Sequence, residues 1–487
     1  MDRQLLHNEF WSEKAFVGGW ISLTGGVCPV IEPATGVELF SAASANAEDI
    51  ANAAAVATAA QREWKAISYR DRAEIFRKAI NLLDQSRSEL EGWIVRETGA
   101  ILPKAAFELD SLRHLLGEAS SMPSQAQGVV LPSEQGVTSI ARRVPHGVIG
   151  VISPFNFPLL LSSRSVLPAI AVGNAVVLKP DLRTPMSGGL ILAALLDSAG
   201  LPKGVLSVLP GGAEAGSALV EHPQVAMISF TGSTAVGRKV GETAGRHLKK
   251  VALELGGKNS FIVLADADLD LAVSGGAWAS WLHQGQICMS AGRHLVQVPL
   301  AAKYAERMAA KATGLQVGNP ATENVAIGPL INEAQARNVE RLVDESVKMG
   351  AKLLAGGKRD GCFYHPTVLS DVTPEMPVFR EEIFGPVVAI TAFETDDEAV
   401  TLSNDTEYGL SAGIYTNDVG RGMAVASQLA VGLVHVNDQT VNDDCTMPMG
   451  GMGASGNGSR HGGPANWDEF CQWQWMTIRS KAPQYPL

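Results

Sequence analysis

The chain has 487 residues, 46% of them hydrophobic and 18% charged, with a formal net charge of −11. That length accommodates two or three domains at roughly 100–200 residues each, and the apolar fraction can fill a large core, which excludes wholesale disorder. An acidic balance with no basic tract argues against nucleic acid as the main partner and favours a well-solvated surface.

The opening residues, MDRQLLHNEFWSEKAF, break their apolar stretch with charges and lack the pattern of a signal peptide. Residues 47–65 are alanine-rich with helical spacing. Residues 70–97 give a second amphipathic helix, with Ile75, Ala79, Ile80 and Leu83 near one face. A third helix is expected over 104–121, so the opening third reads as helical. The pattern then changes. Residues 143–152 are β-branched and apolar and read as one strand, stopped by Pro154. Helical spacing returns at 158–171. Residues 175–178 suit a strand buried on both faces, and 187–199 are helical, closed by Gly200. Strands at 205–209, 227–230 and 251–255, with a helix at 235–247, imply βαβ units and a parallel sheet.

Beyond Glu254 the alternation resumes. A strand at 260–264, helices at 269–284, 301–313 and 333–349, and strands at 352–354 and 387–393 predict a second α/β domain. The tail 470–478 carries Trp473 and Trp475 at strand spacing, far from the other strands. It pairs either with a distant segment of the chain or with another subunit. The apolar stretch 147–161 is broken by Pro154, Asn156 and Pro158, and 167–178 is shorter than the roughly 18 residues of a membrane helix, so no membrane partner is expected. The five cysteines are scattered without CxxC spacing. Neither a disulfide framework nor a metal site is expected, and a cytoplasmic location fits.

Four segments could carry chemistry. In Phe230–Gly237, a Gly-rich turn follows a strand and opens a helix, which suits either a phosphate or an ordinary capped turn, and the GxGxxG fingerprint is absent. Cys288 lies in GQIC, as a reactive thiol or an inert buried one. Glu254 ends an apolar strand before Gly256. Burial would make it a workable general base, whereas a partner among Lys249, Lys250 and Lys258 would make it structural. Asn156 stands between Phe155 and Phe157 in a segment bounded by Pro154 and Pro158, as a fixed oxyanion donor or a turn residue.

Taken in order, FNFP, FTGSTxVG, LELGGKN, GQxC and EEIFGP resemble the aldehyde dehydrogenase superfamily, from about residue 30 to the C-terminus. Glu254 and Cys288 stand 34 residues apart, as that pattern expects. The variants KPDL, HQGQxCM and GGMGASG are most similar to the bacterial benzaldehyde dehydrogenases. The resemblance implies an α/β fold with a Rossmann-type cofactor domain, a second α/β catalytic domain and a small β oligomerisation element. The corresponding residues are 1–124 with 145–254, 255–456, and 125–144 with 465–487. It implies NAD(P)-dependent oxidation of an aldehyde through a thioester on Cys288. Asn156 and the Cys288 amide would hold the oxyanion, and Glu254 would activate water. Cofactor contacts would come from Phe155, Lys179, Leu182, Arg183, Gly212, Gly232, Ser233, Gly237, Leu255, Glu382 and Phe384.

Three departures matter. Leu182 stands where NAD-specific members often carry Glu, with Arg183 beside it, so NADP is expected to be accepted along with NAD. Phe155 replaces a commoner Trp. The segment Pro448–Gly456 lacks the usual lysine and carries Met449 in place of Phe. The resemblance lines the aldehyde pocket with Leu160, Leu161, Arg164, Trp281, Leu282, His283, Thr446 and Met449, which suits a flat apolar ring such as benzaldehyde. Arg164 and His283 would either face that pocket or bond polar neighbours outside it. A homodimer or homotetramer is implied. The alternatives are an inactive binding or structural member of the family, a reductase acting on acyl groups, and a dehydrogenase for aliphatic aldehydes.

Overall fold

The computed structural model describes residues 5–486; residues 1–4 and 487, at the outer ends of the expected first domain and last segment, lie outside the described residues. Two seven-stranded sheets form the body. In the first, the strands run in the order Lys250–Glu254, Val225–Thr231, Val148–Ile152, Ala175–Lys179, Leu206–Val208, Ala15–Val17 and Trp20–Ile21. The first five are parallel and the last two antiparallel. Val148–Ile152 and Ala175–Lys179 are buried throughout. They read as unbroken apolar runs because helices cover both faces. On one face pack Leu167, Ile170 and Leu192, and on the other Ala53, Ala57, Leu219 and Val240.

The order of this sheet reverses at Val148–Ile152. The chain proceeds outward through Ala175–Lys179 to Leu206–Val208, then returns to the opposite side of Val148–Ile152. The crevice outside the carboxyl ends of strands at such a reversal is where open α/β sheets bind ligands.

The second sheet runs Lys352–Ala355, Thr367–Ser370, Val387–Phe393, Ala291–Gln297, Asn259–Val263, Ser411–Tyr415 and Leu433–Val436. All its pairings are parallel except the first. A three-stranded antiparallel sheet, Cys471–Arg479, Val137–Pro145 and Gly128–Leu131, stands apart from both.

Several expectations need correction. Residues 143–152 are not one strand. Val137–Pro145 and Val148–Ile152 belong to different sheets, because Gly147 turns the chain at φ 123° after Pro145. The helix expected over 269–284 ends at Trp281, where His283 and Gln284 take left-handed angles of φ 47° and 57°. Gln284 is held there by donating its amide to the carbonyls of Gly99 and Pro329. The helix expected over 187–199 begins as a wide π-turn, Met186–Leu190, before Ile191–Ser198. The opening third is not wholly helical, since Ala15–Val17 and Trp20–Ile21 edge the first sheet and Val27–Ile31 pairs with Glu38–Ala43. The tail strand pairs with Val137–Pro145 of its own chain along nine residues.

Candidate active site

A cavity of about 880 Å³ opens at the reversal of the first sheet. One end lies against strand ends and a helix start. Lys179, the last residue of its strand, is buried, and its ammonium donates to the Gly211 carbonyl at 2.7 Å and the Pro180 carbonyl at 3.3 Å. Burial holds its pKa below the usual lysine value. Leu182, Gly212, Gly232 and the exposed Ser233 also line the wall. Ser233 caps the helix Thr234–Arg246, its hydroxyl accepting from the Val236 amide at 3.4 Å. Arg183 is gripped by Asp181, Nη2 to Oδ2 at 2.6 Å, and lies 4.2 Å over the Phe155 ring. Asp181 itself lines the cavity. Position 182 is the apolar Leu182, and a carboxylate stands on the cavity wall one residue earlier, at Asp181.

The other end gathers Asn156, Leu161, Cys288, Glu382 and Phe384. The Asn156 side-chain amide donates to the Gln286 carbonyl at 2.9 Å, two residues before the thiol. Its backbone is clamped from the helix Leu102–Ser121. There Lys104 and Glu108, an ion pair at helical i,i+4 spacing, have side chains 1% and 0% exposed. Lys104 donates to the Asn156 carbonyl at 2.7 Å. Glu108 accepts the Leu159 and Leu160 amides at 3.0 and 3.1 Å, filling the N-terminal cap of the helix Pro158–Ala171. The clamp thus grips both sides of the Asn156 turn.

Cys288 is half-buried. Its pKa is pushed up to about 12 by burial and by the Glu382, Glu254 and Asp443 carboxylates, with Arg164 opposing. Glu254 is buried at the end of its strand, and neither carboxyl oxygen has a hydrogen-bond partner of good geometry among the described residues. Burial raises its pKa well above the usual range, opposed by Arg164 and Arg460. The lysine partners weighed for it are not used: Lys249 donates to Val220 and His222, Lys250 to Glu469, and the buried Lys258 ammonium, without a hydrogen-bond partner among the described residues, has the Glu382 carboxylate as its chief opposite charge. Glu382 accepts the Gly257 amide at 3.1 Å, and burial raises its pKa to about 7. The segment whose lysine is missing contacts the Glu254 strand end through its backbone. The Ser455 carbonyl accepts from Leu255 at 2.9 Å, and the Ser455 hydroxyl donates to the Gly256 carbonyl at 2.6 Å.

Not every expected residue reaches this cavity. Leu255 lines it, but Glu254 and Gly237 do not. Gly237 serves packing, because a Cβ there would stand 2.3 Å from the Leu255 side chain. Of the expected aldehyde-pocket residues, only Leu161 is on its walls. Leu160 and Met449 are buried in the adjoining core, with Leu282 half-buried against it. Trp281 packs into the core of the second sheet, and His283 is buried edge-on against Phe157 at 5.5 Å. Thr446 bonds Asp444 at 2.7 Å, and Arg164 is paired with Asp443. Lys104, Glu108, Asp181 and Asp443 escaped the sequence reading. The i,i+4 spacing of the first two was a usable signal, whereas Asp443 reaches Arg164 across 279 residues of sequence. Among the described residues, no group of three or more His, Cys, Asp or Glu side chains is placed to hold a metal, and no helix is long and apolar enough to cross a membrane.

Comparison with known proteins places this architecture in context. A family model described as the aldehyde dehydrogenase family matches residues 20–476. The chain is 52% identical over 483 residues to a vanillin dehydrogenase of Amycolatopsis sp., covering 99% of each chain. It is 48% identical over 486 residues to a benzaldehyde dehydrogenase [NAD(+)] of Pseudomonas putida, covering 100% of each. Among solved structures, the NAD+ complex of an aldehyde dehydrogenase from Bacillus cereus superimposes with a TM-score of 0.93 at 32% identity, over 96% of both chains.

Proposed function

The chain belongs to the aldehyde dehydrogenase family, and from that premise we propose that it oxidises an aromatic aldehyde, of the benzaldehyde and vanillin kind, to the carboxylic acid with NAD. The observation that carries this reading is the meeting of Cys288 and Asn156 at one end of a cavity whose other end is a glycine-lined turn at a helix start. The residues fit a dinucleotide. A Cβ at Gly256 would stand 2.3 Å from Glu382 Oε2, so only glycine leaves that carboxylate its place on the wall. Lys179 would hold the adenosine ribose, Ser233 and the amides after it the pyrophosphate, and Glu382 and Phe384 the nicotinamide end.

In the state described, burial and three carboxylates keep the Cys288 thiol protonated near neutral pH. The oxidised cofactor, when bound, would supply the hydride acceptor, and its positive charge would favour the thiolate form of Cys288. The Cys288 thiol gives its proton to solvent water, the resulting thiolate sulfur bonds to the aldehyde carbon, and the carbonyl oxygen becomes an oxyanion. Asn156 turns its amide from the Gln286 carbonyl toward that oxyanion, opposite the Cys288 amide. One such donor contributes about 10²–10³ in rate. Loss of hydride from carbon leaves a thioester on Cys288. Glu254, with its raised proton affinity, takes a proton from water as the water oxygen attacks the thioester carbon. The carbon–sulfur bond breaks and the acid leaves. A panel of aromatic, long aliphatic and short aliphatic aldehydes, compared by kcat/KM with NAD, tests the reading. The highest value is expected for an aromatic aldehyde, and a higher value for an aliphatic one would contradict it.

The same reading assigns 1–124 with 145–254 to cofactor binding, 255–456 to catalysis, and 125–144 with 465–487 to assembly. Trp473 and Trp475 are 55% and 72% exposed on the tail strand, and Val129 and Val130 are exposed on the same small sheet. This apolar surface supports burial against a second copy in a homodimer or homotetramer. The scattered unpaired cysteines suit a cytoplasmic protein.

A further inference from the structure

We infer that Arg164 and Asp443 form a polar subsite that recognises a hydroxyl on the aromatic ring of the aldehyde, which makes ring-hydroxylated benzaldehydes the preferred substrate class. The inference rests on the aldehyde-oxidation reading above. Arg164 lies in the helix Pro158–Ala171, three residues after Leu161. Residues three apart share a helix face, and Leu161 forms the cavity wall with Cys288 and Asn156. Arg164 therefore stands roughly 4.5 Å farther along that face, three residues at about 1.5 Å each, a step comparable with the span of one benzene ring. Asp443 meets it from the loop between Leu433–Val436 and Met452–Gly453. Val441 and Cys445 of that loop pack against the same core as Leu161 and Cys288.

The pair is nearly shut off from solvent, with side chains 5% and 9% exposed, and Arg164 Nη2 donates to Asp443 Oδ2. That contact uses one donor and one acceptor. Arg164 Nε and Nη1 and Asp443 Oδ1 are buried without a hydrogen-bond partner among the described residues. Arg293 shows how this fold treats a structural guanidinium at similar depth. Its three nitrogens all donate to carbonyls, those of Lys258, Leu402 and Ser403, at 2.6–3.1 Å. Unmet donors beside an unmet acceptor match a phenolic hydroxyl, which accepts from the guanidinium and donates to the carboxylate, both bonds being charge-assisted. An ether oxygen on the neighbouring ring carbon can accept the remaining N–H. An unsubstituted ring leaves all of these groups unmet, which is the condition under which a site discriminates strongly against a substrate lacking the hydroxyl.

The test compares kcat/KM with NAD for 4-hydroxybenzaldehyde and benzaldehyde, in the wild type and in R164M/D443L. Replacing both members of a buried ion pair with apolar residues generally spares folding, and D443N gives the same readout if the double variant fails to fold. The wild type is expected to favour the hydroxylated substrate by about 10- to 100-fold, the range for hydrogen bonds to charged groups. The variant ratio is expected to fall toward one, whatever loss both substrates share. 4-Methoxybenzaldehyde, which accepts but cannot donate, should fall between the two. A wild-type ratio near one, or an unchanged ratio in a folded variant, overturns the subsite and leaves aldehyde oxidation standing. Failure of the wild type to oxidise either compound overturns both.

Discussion

Asp181 holds the Arg183 guanidinium at 2.6 Å on the wall of the cavity, at the end proposed for the adenosine of the cofactor. A 2′-phosphate entering there meets a carboxylate and must draw Arg183 away from it. NADP is thus expected to be used, with a lower kcat/KM than NAD. Asp181→Asn should raise the NADP-to-NAD ratio roughly tenfold, by freeing a charge-assisted donor and removing a like charge. An unchanged ratio of kcat/KM would count against this role. Cys288, Glu254 and Asn156 could be singled out as candidates because each stands in a short run whose chemistry is local: a thiol three residues after a glycine, an acid at the end of an apolar strand, an amide in a segment bounded by prolines. Their partners were not readable. Asp181 sits in the same KPDLR run as Lys179, yet nothing in its spacing says that it lines the cavity. Asp443 meets Arg164 only because the fold brings two distant segments together.

The helix Leu102–Ser121 determines where Asn156 stands. Lys104 and Glu108 are fully buried, and Glu108 takes two amides at the start of the helix that follows Asn156. Removing one member leaves a buried charge without its counterion. Glu108→Ala is expected to lower unfolding free energy by about 3–5 kcal/mol, while Lys104→Met with Glu108→Leu should cost far less. Denaturant titration of the two variants checks this, and equal losses would contradict it. Element type was legible wherever the hydrophobic period was long, as in the helices Ala47–Trp64 and Glu333–Lys348. Boundaries failed where long-range bonds override local preference. Gly147 divides one apolar run between two sheets, and the Gln284 amide, bonded to Gly99 and Pro329, fixes the left-handed end of the helix before Cys288. The small strands Ala15–Val17 and Trp20–Ile21 are too short to announce themselves and exist because a sheet edge is there to receive them.

Across the whole molecule, burial governs the response to pH. His294 and His461 are buried, and burial holds both pKa values at about 3. Below their ordinary pKa of 6.5 the unfolded chain binds protons that the folded chain refuses. Stability from these residues is thus complete above pH 6.5 and lost as pH falls toward 3, by about 1.4 kcal/mol per pH unit for each. His461→Gln should lessen the loss of stability between pH 7 and pH 5 relative to the wild type. Denaturant titrations of both proteins at the two pH values check this, and an equal loss would contradict it. The exposed Trp473 and Trp475 make a mass of two or four chains by sedimentation the expected result, and a monomer at micromolar concentration would contradict the assembly proposal. The α/β plan, with its largely parallel sheets, was legible from the alternation of strands and helices, whereas the tail strand's partner was not, because period-2 spacing names a strand and not its neighbour.

The central claim is a covalent intermediate on one sulfur. Glu254→Gln removes the base proposed for hydrolysis and leaves Cys288 in place, so the acyl-enzyme should accumulate. Peptide mass mapping after mixing this variant with benzaldehyde and NAD is predicted to find a benzoyl group on Cys288, formed together with one equivalent of NADH per site. An unmodified Cys288 peptide in a variant that has released that NADH would contradict the account.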